Sequence, residues 1–301
     1  MGGVAFLFAG QGAQVPGMAG DVRDLPKVKA LFDLAEGIRP GIVDKMLCGT
    51  QEELNRTLLT QPTMFLADLA YAYAKEEELG APECVCGFSV GEVPALCFAG
   101  VLSEADAFRT ICKRAELMEA YTERVKGCMI AVIGLPSDAV EALCDGTDTH
   151  PANYNGSKQT VVACKASAEE AFTAKVKAAG GRAMKLRVSG MFHCPELLPE
   201  AERFEEFLRT LSFGAPRMDV YANLTAKPYE GDFAATLAKQ MCSPVRFTES
   251  IAAMKARGIE PKRLQFVRGR AGAKPYLVLV EGVKGAKPGL DILEDAVNVK
   301  N

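Results

Sequence analysis

The chain has 301 residues, of which 49% are hydrophobic and 24% are charged. This composition suits a soluble globular protein with a large core. A formal net charge of −3 argues against a nucleic-acid-binding surface. No apolar run reaches the ~20 residues needed to cross a bilayer, so no membrane partner is expected. Residues 1–10, MGGVAFLFAG, lack the basic start and the cleavage site of a signal peptide and predict a first buried strand.

Further along the chain, short strands and helices alternate, which predicts an α/β fold with a mainly parallel sheet. The predicted helix at 103–120 begins with Ser103 as its cap and has acidic residues in its first turn. The predicted strands are 4–8 and 218–223, and the predicted helices are 24–38, 51–79 and 103–120.

The middle of the chain has a β-α-β-α-β order of its own. We therefore predict a small α+β subdomain over residues 124–190, inserted into a large subdomain formed by residues 1–123 and 191–301. The predicted strands of the insertion are 128–135, 159–164 and 183–190, and its helices are 136–147 and 167–180.

Ten cysteines are scattered along the chain. Cys84 and Cys86 are one residue apart, which suits neither a zinc site nor a redox pair. Most of the others fall in apolar segments, so we expect free thiols in a reducing compartment rather than disulfides. Neither a metal nor another cofactor is predicted.

The segment GFSVG at 87–91 fits the nucleophile-elbow pattern, in which a strand, a sharp turn and a helix follow one another. Such a turn strains the backbone of Ser89, and side chains at Gly87 and Gly91 would collide with the strand and the helix. The hydroxyl then projects at a helix N-terminus, where N–H groups stabilise negative charge. The alternative is an ordinary glycine-lined turn with a capping serine.

A serine hydroxyl needs a base to act as a nucleophile, and the chain has only two histidines. His150 lies in the polar segment DGTDTHP and is predicted to be a solvated loop residue. His193 follows a predicted strand, in the glycine-containing segment VSGMFHCPEL, and is the better candidate for the base. The alternative for His193 is a structural histidine with satisfied hydrogen bonds.

Two glycines flank Gln11 in FAGQGAQVPGM, residues 8–18, immediately after the first predicted strand. Such a loop can direct a backbone N–H towards a neighbouring site. A nucleotide-binding loop is the alternative, but the segment has neither the G-K-[ST] ending nor the G-x-G-x-x-G spacing of such loops.

These three elements together resemble the malonyl-CoA:acyl carrier protein transacylases, over about residues 4–258. The resemblance implies an α/β-hydrolase-like core with a parallel sheet and a ferredoxin-like small subdomain. Phe88 stands where bacterial members usually have histidine, which is typical of the mitochondrial form. The motifs that carry the resemblance are FAGQGAQ (8–14), TQPTMF (60–65), GFSVGE (87–92), KRAELM (113–118), NYNGSKQTVVA (153–163), MFHCPELLPEA (191–201), VYANLTAKPY (220–229) and QMCSPVRF (240–247).

The resemblance also implies a role for each matching residue. Ser89 would be the nucleophile, and His193 the general base and then the general acid. The backbone carbonyl of Gln240 would orient the imidazole in place of a carboxylate, a variation on the usual triad. The N–H groups of Gln11 and Val90 would form the oxyanion hole.

Three further residues are implied to contact the substrate. Arg114 would bind the free carboxylate of the malonyl group, Gln61 would line the entrance, and Phe192 would favour malonyl over methylmalonyl. A guanidinium can hold a carboxylate by two parallel hydrogen bonds, and leaving it unpaired over an acetyl group would be costly. The alternative for Arg114 is a solvated helical arginine, because KRAELMEA is a charged stretch.

The implied activity is a ping-pong malonyl transfer for fatty acid synthesis. Ser89 attacks malonyl-CoA, CoA leaves, and the phosphopantetheine thiol of acyl carrier protein attacks the malonyl-serine ester. Because the family's carrier protein is acidic, Arg182 and Lys185 are candidates for a docking face, with a solvated strand edge as the alternative. We expect a monomer, located in mitochondria or plastids of a eukaryote or in the cytoplasm of a bacterium.

The chain departs from the family pattern at three places. Ala9 replaces the usual proline, and Pro94 lies one turn into the nucleophile helix. There the proline would clash with the carbonyl of Val90 unless the helix begins late or bends. The third departure is larger. After ARGIEP (256–261) the family continues with a strand and a V-E-V-G-P-G turn beside the active site, whereas this chain continues KRLQFVRGRAG.

Reverse translation offers a reason for the third departure. VRGRAG at 267–272 can become V-E-V-G-P-G when one base is dropped after the first two bases of the valine codon. We therefore hypothesise a one-nucleotide slip near residue 267. Residues 262–301, which follow the last segment with the family pattern, are treated as atypical. Resequencing the transcript tests this hypothesis, and an unbroken read without an extra base would remove it.

Two other functions remain open from the sequence. A serine hydrolase or thioesterase would use the same serine and histidine but has no need of a buried arginine opposite the serine. The second open function is an inactive module that binds carrier protein, which stays open because the C-terminal segment is atypical.

Overall fold

The computed structural model describes residues 4–268, 277–284, 291–292 and 296–297, with side chains described up to residue 258. The helices are α1 (Pro26–Ile38), α2 (Ile42–Cys48), α3 (Gln51–Leu54), α4 (Thr57–Leu79), α5 (Glu92–Phe98), α6 (Glu104–Arg124), α7 (Ser137–Cys144), α8 (Glu169–Ala178), α9 (Leu198–Leu208), α10 (Phe233–Gln240) and α11 (Phe247–Ala256). The strands are β1 (Ala5–Phe8), β2 (Cys84–Gly87), β3 (Gly127–Ile133), β4 (Thr149–Gly156), β5 (Gln159–Lys165), β6 (Arg182–Lys185), β7 (Asp219–Tyr221), β8 (Ile259–Arg268), β9 (Leu277–Lys284), β10 (Asp291–Ile292) and β11 (Ala296–Val297).

The predicted large subdomain contains a parallel sheet with the strand order β1-β2-β7, as predicted for an α/β fold. Its middle strand β2, with the sequence CVCG, is buried along its whole length. A continuous apolar strand of this kind is typical of a parallel sheet covered on both faces. Since the strands are parallel, their carboxyl ends lie at one edge of the sheet, where ligand sites of α/β folds form.

Helices α4 and α6 enclose this sheet edge. Helix α6 begins after Ser103, whose Oγ accepts the N–H of Asp106 at 3.1 Å, so the predicted cap is confirmed. Helix α4 contains Pro62 and is buried around most of its circumference in its first half. Polar side chains in the first half of α4 and on the buried face of α6, such as Gln61 and Arg114, therefore face protein rather than water.

The second sheet is antiparallel, with the strand order β4-β5-β3-β6. Its elements follow the order β3-α7-β4-β5-α8-β6, which is the ferredoxin-like arrangement. The sheet has a hydrophobic core of its own, which includes Val132, Val162 and Phe172. The separate sheet and core support the division into residues 1–123 with 191–301 and 124–190, which stays a prediction.

Strand β4 corrects the sequence analysis, which placed His150 in a solvated loop. His150 belongs to this strand, and its Nε2 lies 3.2 Å from Oε1 of Glu196. The pattern THPANYNG does not alternate, and register shifts interrupt its pairing with β5. Pairing with β5 forms β4 despite its low intrinsic strand preference. The strand predicted at 183–190 is also shorter than expected, because it ends at Lys185.

The C-terminal strand β8 pairs antiparallel with β9 and parallel with β10 and β11. Residues 269–276, in which most of the hypothesised reading-frame change falls, lie outside the described residues. All ten cysteines are free thiols. None of the described helices is long and apolar enough to span a membrane.

Candidate active site

The elbow turn holds Ser89 in a strained backbone conformation. Strand β2 ends at Gly87, a single 3₁₀ turn covers residues 89–91, and Ser89 has φ +52°. A Cβ added to Gly87 would overlap the backbone of Gly91, and one added to Gly91 would overlap the carbonyl of Phe8. Glycine is therefore required at both positions, and the sharp turn directs the serine away from the sheet.

The same turn accommodates Pro94. Helix α5 begins only at Glu92, so the proline is the third residue of the helix. An N–H at that position would be one of the first-turn donors that have no partner within the helix. The helix begins late, as the sequence analysis required, and the proline removes no hydrogen bond within it.

Ser89 and His193 form a hydrogen-bonded pair. The Oγ of Ser89 lies 2.7 Å from Nε2 of His193, and Nδ1 of His193 lies 2.9 Å from the backbone oxygen of Gln240. A carbonyl oxygen can only accept, so Nδ1 carries the proton and Nε2 is free to accept the serine proton. The geometry thus suits a serine activated by a base whose tautomer is fixed by a carbonyl.

The protonation state of His193 also suits a base. The ring is buried, and burial lowers its pKa to about 4, with a further lowering by the positive charge of Arg114. The carbonyl of Gln240 acts in the opposite direction and raises the pKa. The imidazole is therefore neutral at neutral pH.

Arg114 brings a buried positive charge to this pair. It is fully buried on α6, and its Nη2 donates to Oγ of Ser89 at 3.2 Å and to Oε1 of Gln240 at 2.9 Å. Its Nη1 donates to Oε1 of Gln61 at 2.8 Å. Burial lowers the pKa of Arg114 only to about 10, so the group stays charged at neutral pH. All of its hydrogen-bond partners among the described residues are neutral.

Gln61 was expected at the entrance and is instead in the interior. It is fully buried on α4, and its Nε2 donates to Sδ of Met118 at 3.2 Å. The difference arises because helix α4 is covered on both sides near its N-terminal end, which the sequence periodicity did not indicate. Gln61 therefore holds the guanidinium of Arg114 from the protein side.

The loop after β1 lies directly against the elbow. A Cβ added to Gly10 would come within 2.6 Å of the Phe88 ring. Gln11 directly follows Gly10, and Val90 is two residues after Phe88. Neither of these two N–H groups donates a hydrogen bond to another group in the described part of the chain. Both remain candidates for oxyanion stabilisation.

Two residues of this site were given no role by the sequence analysis. Glu92 is fully buried and accepts hydrogen bonds from the Tyr229 hydroxyl, from Nε2 of Gln240 at 3.1 Å and from the N–H of Asn223 at 3.1 Å. Burial raises the pKa of Glu92 to about 7. Both Glu92 and Asn223 lie inside quoted motifs, but only the fold shows that they meet.

The remaining predicted residues lie further out. Phe192 is buried, and its N–H donates to Sδ of Met129 at 3.2 Å. Arg182 and Lys185 are exposed on β6, at the edge of the small sheet, where Lys185 forms an ion pair with Glu169 at 2.8 Å. Within the described part of the chain, no group of three or more His, Cys, Asp or Glu side chains is arranged to hold a metal.

A parallel α/β sheet that carries a serine–histidine pair beside a buried guanidinium defines the class of serine-dependent acyl-transfer enzymes. Residues 5–267 match the model of the acyl transferase domain, and the chain belongs to this family. The match extends to residue 267 and so includes the start of the segment 262–301, which the sequence analysis called atypical.

Individual relatives agree with this assignment. The malonyl CoA-acyl carrier protein transacylase of Escherichia coli K12 is 34% identical over 266 residues, which are 85% of this chain and 86% of that protein. The crystal structure of MCAT from Streptococcus pneumoniae superposes with a TM-score of 0.81 at 34% identity and covers 86% of this chain and 87% of that one. A malonyl-transacylase solved in complex with its type II polyketide synthase acyl-carrier protein has a TM-score of 0.81 at 32% identity, with 87% of each chain covered.

Proposed function

We propose that this chain transfers the malonyl group of malonyl-CoA to the phosphopantetheine thiol of acyl carrier protein, for fatty acid synthesis. One observation carries the choice of acyl group. The buried, charged Arg114 lies 3.2 Å from Oγ of Ser89, and its hydrogen-bond partners among the described residues are all neutral. A short acyl group on Ser89 that ends in a carboxylate would supply the opposite charge at this distance.

The first half-reaction begins at the thioester carbonyl carbon of malonyl-CoA. Nε2 of His193 accepts the hydroxyl proton of Ser89 while Oγ attacks. Charge that develops on the carbonyl oxygen is stabilised by the N–H groups of Gln11 and Val90. The C–S bond then breaks, and the sulfur of CoA leaves with the proton from His193. The product is a malonyl-serine ester.

The second half-reaction is the reverse with a different thiol. Nε2 of His193 takes the proton of the phosphopantetheine thiol, and the sulfur attacks the ester carbon of malonyl-Ser89. The ester C–O bond breaks, and His193 returns the proton to the serine oxygen. One histidine serves both directions because its tautomer is held by Gln240 throughout.

Arg114 supports selectivity for the malonyl group. With an acetyl group on the serine, the buried guanidinium would lack an anionic hydrogen-bond partner, whereas a malonyl carboxylate can accept two parallel hydrogen bonds. Phe192, next to the base, is proposed to exclude a methyl branch on the malonyl carbon. Both residues are held in place by packing in the core.

Mass spectrometry after incubation with malonyl-CoA tests the proposal. We expect a malonyl adduct on Ser89 that moves to added holo acyl carrier protein, and no adduct in Ser89→Ala. Release of free malonate without transfer would indicate a hydrolase instead. A folded protein that forms no adduct would indicate a carrier-protein-binding module.

We further propose that the chain acts as a monomer without a metal or other cofactor. Phe88, in place of the histidine usual in bacterial members, supports a mitochondrial or plastid location in a eukaryotic host. In a bacterial host the cytoplasm is the proposed location. Light scattering and cell fractionation test these statements.

A further inference from the structure

Asn223 lies next to the elbow although the chain reaches it from a different strand. It follows the end of β7 by two residues, and β7 runs parallel to β2 with Cys86 opposite Tyr221. The chain therefore leaves both strands at the same edge of the sheet. The side chain of Asn223 is fully buried there.

The amide of Asn223 bridges the strained turn. Its Oδ1 accepts the N–H of Ser89 at 2.7 Å, and its Nδ2 donates to the oxygen of Gly87 at 2.6 Å. The reversed orientation would place a donor against a donor and an oxygen against an oxygen, so the partners determine which way the amide points. One side chain thus holds the residues on both sides of Phe88.

Asn223 is itself held at its backbone. Its N–H donates to Oε2 of Glu92 at 3.1 Å, and its carbonyl accepts the N–H of Arg246 at 3.0 Å. The neighbouring Val245 accepts the N–H of Tyr154, in β4 of the small sheet, at 2.9 Å. The amide is therefore fixed relative to the helix of the elbow and to the small sheet at once.

We propose that Asn223 is a positioning residue that keeps Ser89 in its strained conformation, with Oγ within reach of His193. Positive φ is unfavourable for serine and persists only where surrounding contacts impose it. Without the amide, two buried backbone groups lose their partners and the turn relaxes. The inference rests on the proposed function, because it concerns the serine that would carry the acyl group.

Two variants and one control test this inference. Asn223→Ala removes both hydrogen bonds to the turn, and also the acceptor that lies 3.4 Å from Nε2 of Gln240. Asn223→Asp keeps the shape and the acceptor for Ser89 but places an oxygen against the carbonyl of Gly87. The control is Asn153→Ala, a change at another buried asparagine, whose Nδ2 has no partner within the described residues. Quenched-flow mass spectrometry measures malonyl-Ser89 formation across malonyl-CoA concentrations, at a temperature at which circular dichroism shows each protein folded.

We expect both Asn223 variants to lower the maximal rate about 10- to 100-fold, the effect of displacing a reacting atom by about 1 Å, with half-saturation within about threefold of wild type. Asn153→Ala should keep the wild-type rate. The inference would be overturned if the Asn223 variants had maximal rates like that of the control. It would also be overturned if they reacted more slowly only because the half-saturating concentration of malonyl-CoA had risen. If Asn223→Ala does not fold, the Asp variant decides. A wild-type protein without an adduct would instead refute the proposed function and this inference together.

Discussion

The guanidinium of Arg114 donates to the hydroxyl of Ser89 at 3.2 Å, although the two residues are 25 positions apart and belong to different elements. A buried positive charge and a nucleophilic oxygen therefore share one small space. An acyl group carried by Ser89 would lie beside that charge, so we expect this relationship to influence which acyl groups the site favours.

The first prediction concerns Arg114→Ala. Loss of one partner from a buried, hydrogen-bonded charge pair costs about 2–5 kcal/mol, so kcat/KM for malonyl-CoA should fall roughly 30-fold or more. The kcat/KM for acetyl-CoA should fall less, because the acetyl group has no carboxylate to pair with the guanidinium. Competition between the two thioesters, read by mass spectrometry, measures the ratio. Arg109→Ala, at an exposed position on the same helix, is the control. A variant that still preferred malonyl over acetyl would contradict the role of Arg114.

The second prediction concerns the acid limb of the pH profile. Because burial lowers the pKa of His193 to about 4, the imidazole stays neutral, and able to accept a proton, well below pH 6.5. As pH falls through about 4, protonation removes the base and kcat/KM should decline. A midpoint near the ordinary value of 6.5 would be inconsistent with the buried ring. Because the pKa of Glu92 is raised to about 7, the profile is repeated in Glu92→Gln to separate the two groups.

The third prediction concerns the stability of Glu92→Gln. The carboxylate accepts three hydrogen bonds. An amide that keeps its oxygen on Asn223 and Gln240 must donate to the Tyr229 hydroxyl, whose own proton then loses its acceptor. We expect a loss of about 1–3 kcal/mol in the free energy of unfolding, measured with urea at pH 8. Glu104→Gln, at a partly exposed acceptor for the Tyr73 hydroxyl, should lose less because water can replace the bond. Equal losses would argue against the buried network.

The fourth prediction compares two glycine substitutions. In Gly91→Ala the new methyl meets the carbonyls of Phe8 and Ala9, which are backbone groups that precede the Gln11 loop. Overpacking of this kind costs about 1–3 kcal/mol, and activity should fall with the displaced loop. Gly37→Ala, in helix α1 with no atom within 4 Å of the new Cβ, should stabilise the protein by up to about 1 kcal/mol. Thermal unfolding checks both, and a neutral Gly91→Ala would contradict the close packing of loop and elbow.

The fifth prediction concerns the edge strand β6. If Arg182 and Lys185 contact an acidic carrier protein, Arg182→Glu and Lys185→Glu should raise KM for the carrier protein and weaken its dependence on salt. The matched control is Lys29→Glu, an exposed lysine on helix α1. Carrier-protein KM at two salt concentrations is the measurement. KM values equal to that of the Lys29→Glu control would favour the alternative, in which β6 is a solvated strand edge that does not contact the carrier protein.

The sequence by itself determined the features that depend on neighbouring residues. The spacing of glycines around Ser89 predicted the elbow, because Gly87 must clear Gly91 only four positions away. The conflict of Gly91 with the distant carbonyl of Phe8 was visible only in the fold. The alternation of short strands and helices predicted the parallel-sheet α/β fold. Ser103, followed by Glu104 and Asp106, predicted the helix cap. The ordered motifs identified the family, which the match over residues 5–267 supports.

Only the tertiary structure decided which distant residues meet. Ser89 and His193 are 104 positions apart, and their contact depends on the order of strands in the sheet and on the packing of helices around it. The same packing buried Gln61 behind Arg114, formed β4 from a weak strand sequence, and brought Asn223 to the elbow. Local preferences act over one or two turns of chain, whereas these contacts arise from the burial of many side chains together, so no short pattern could have revealed them.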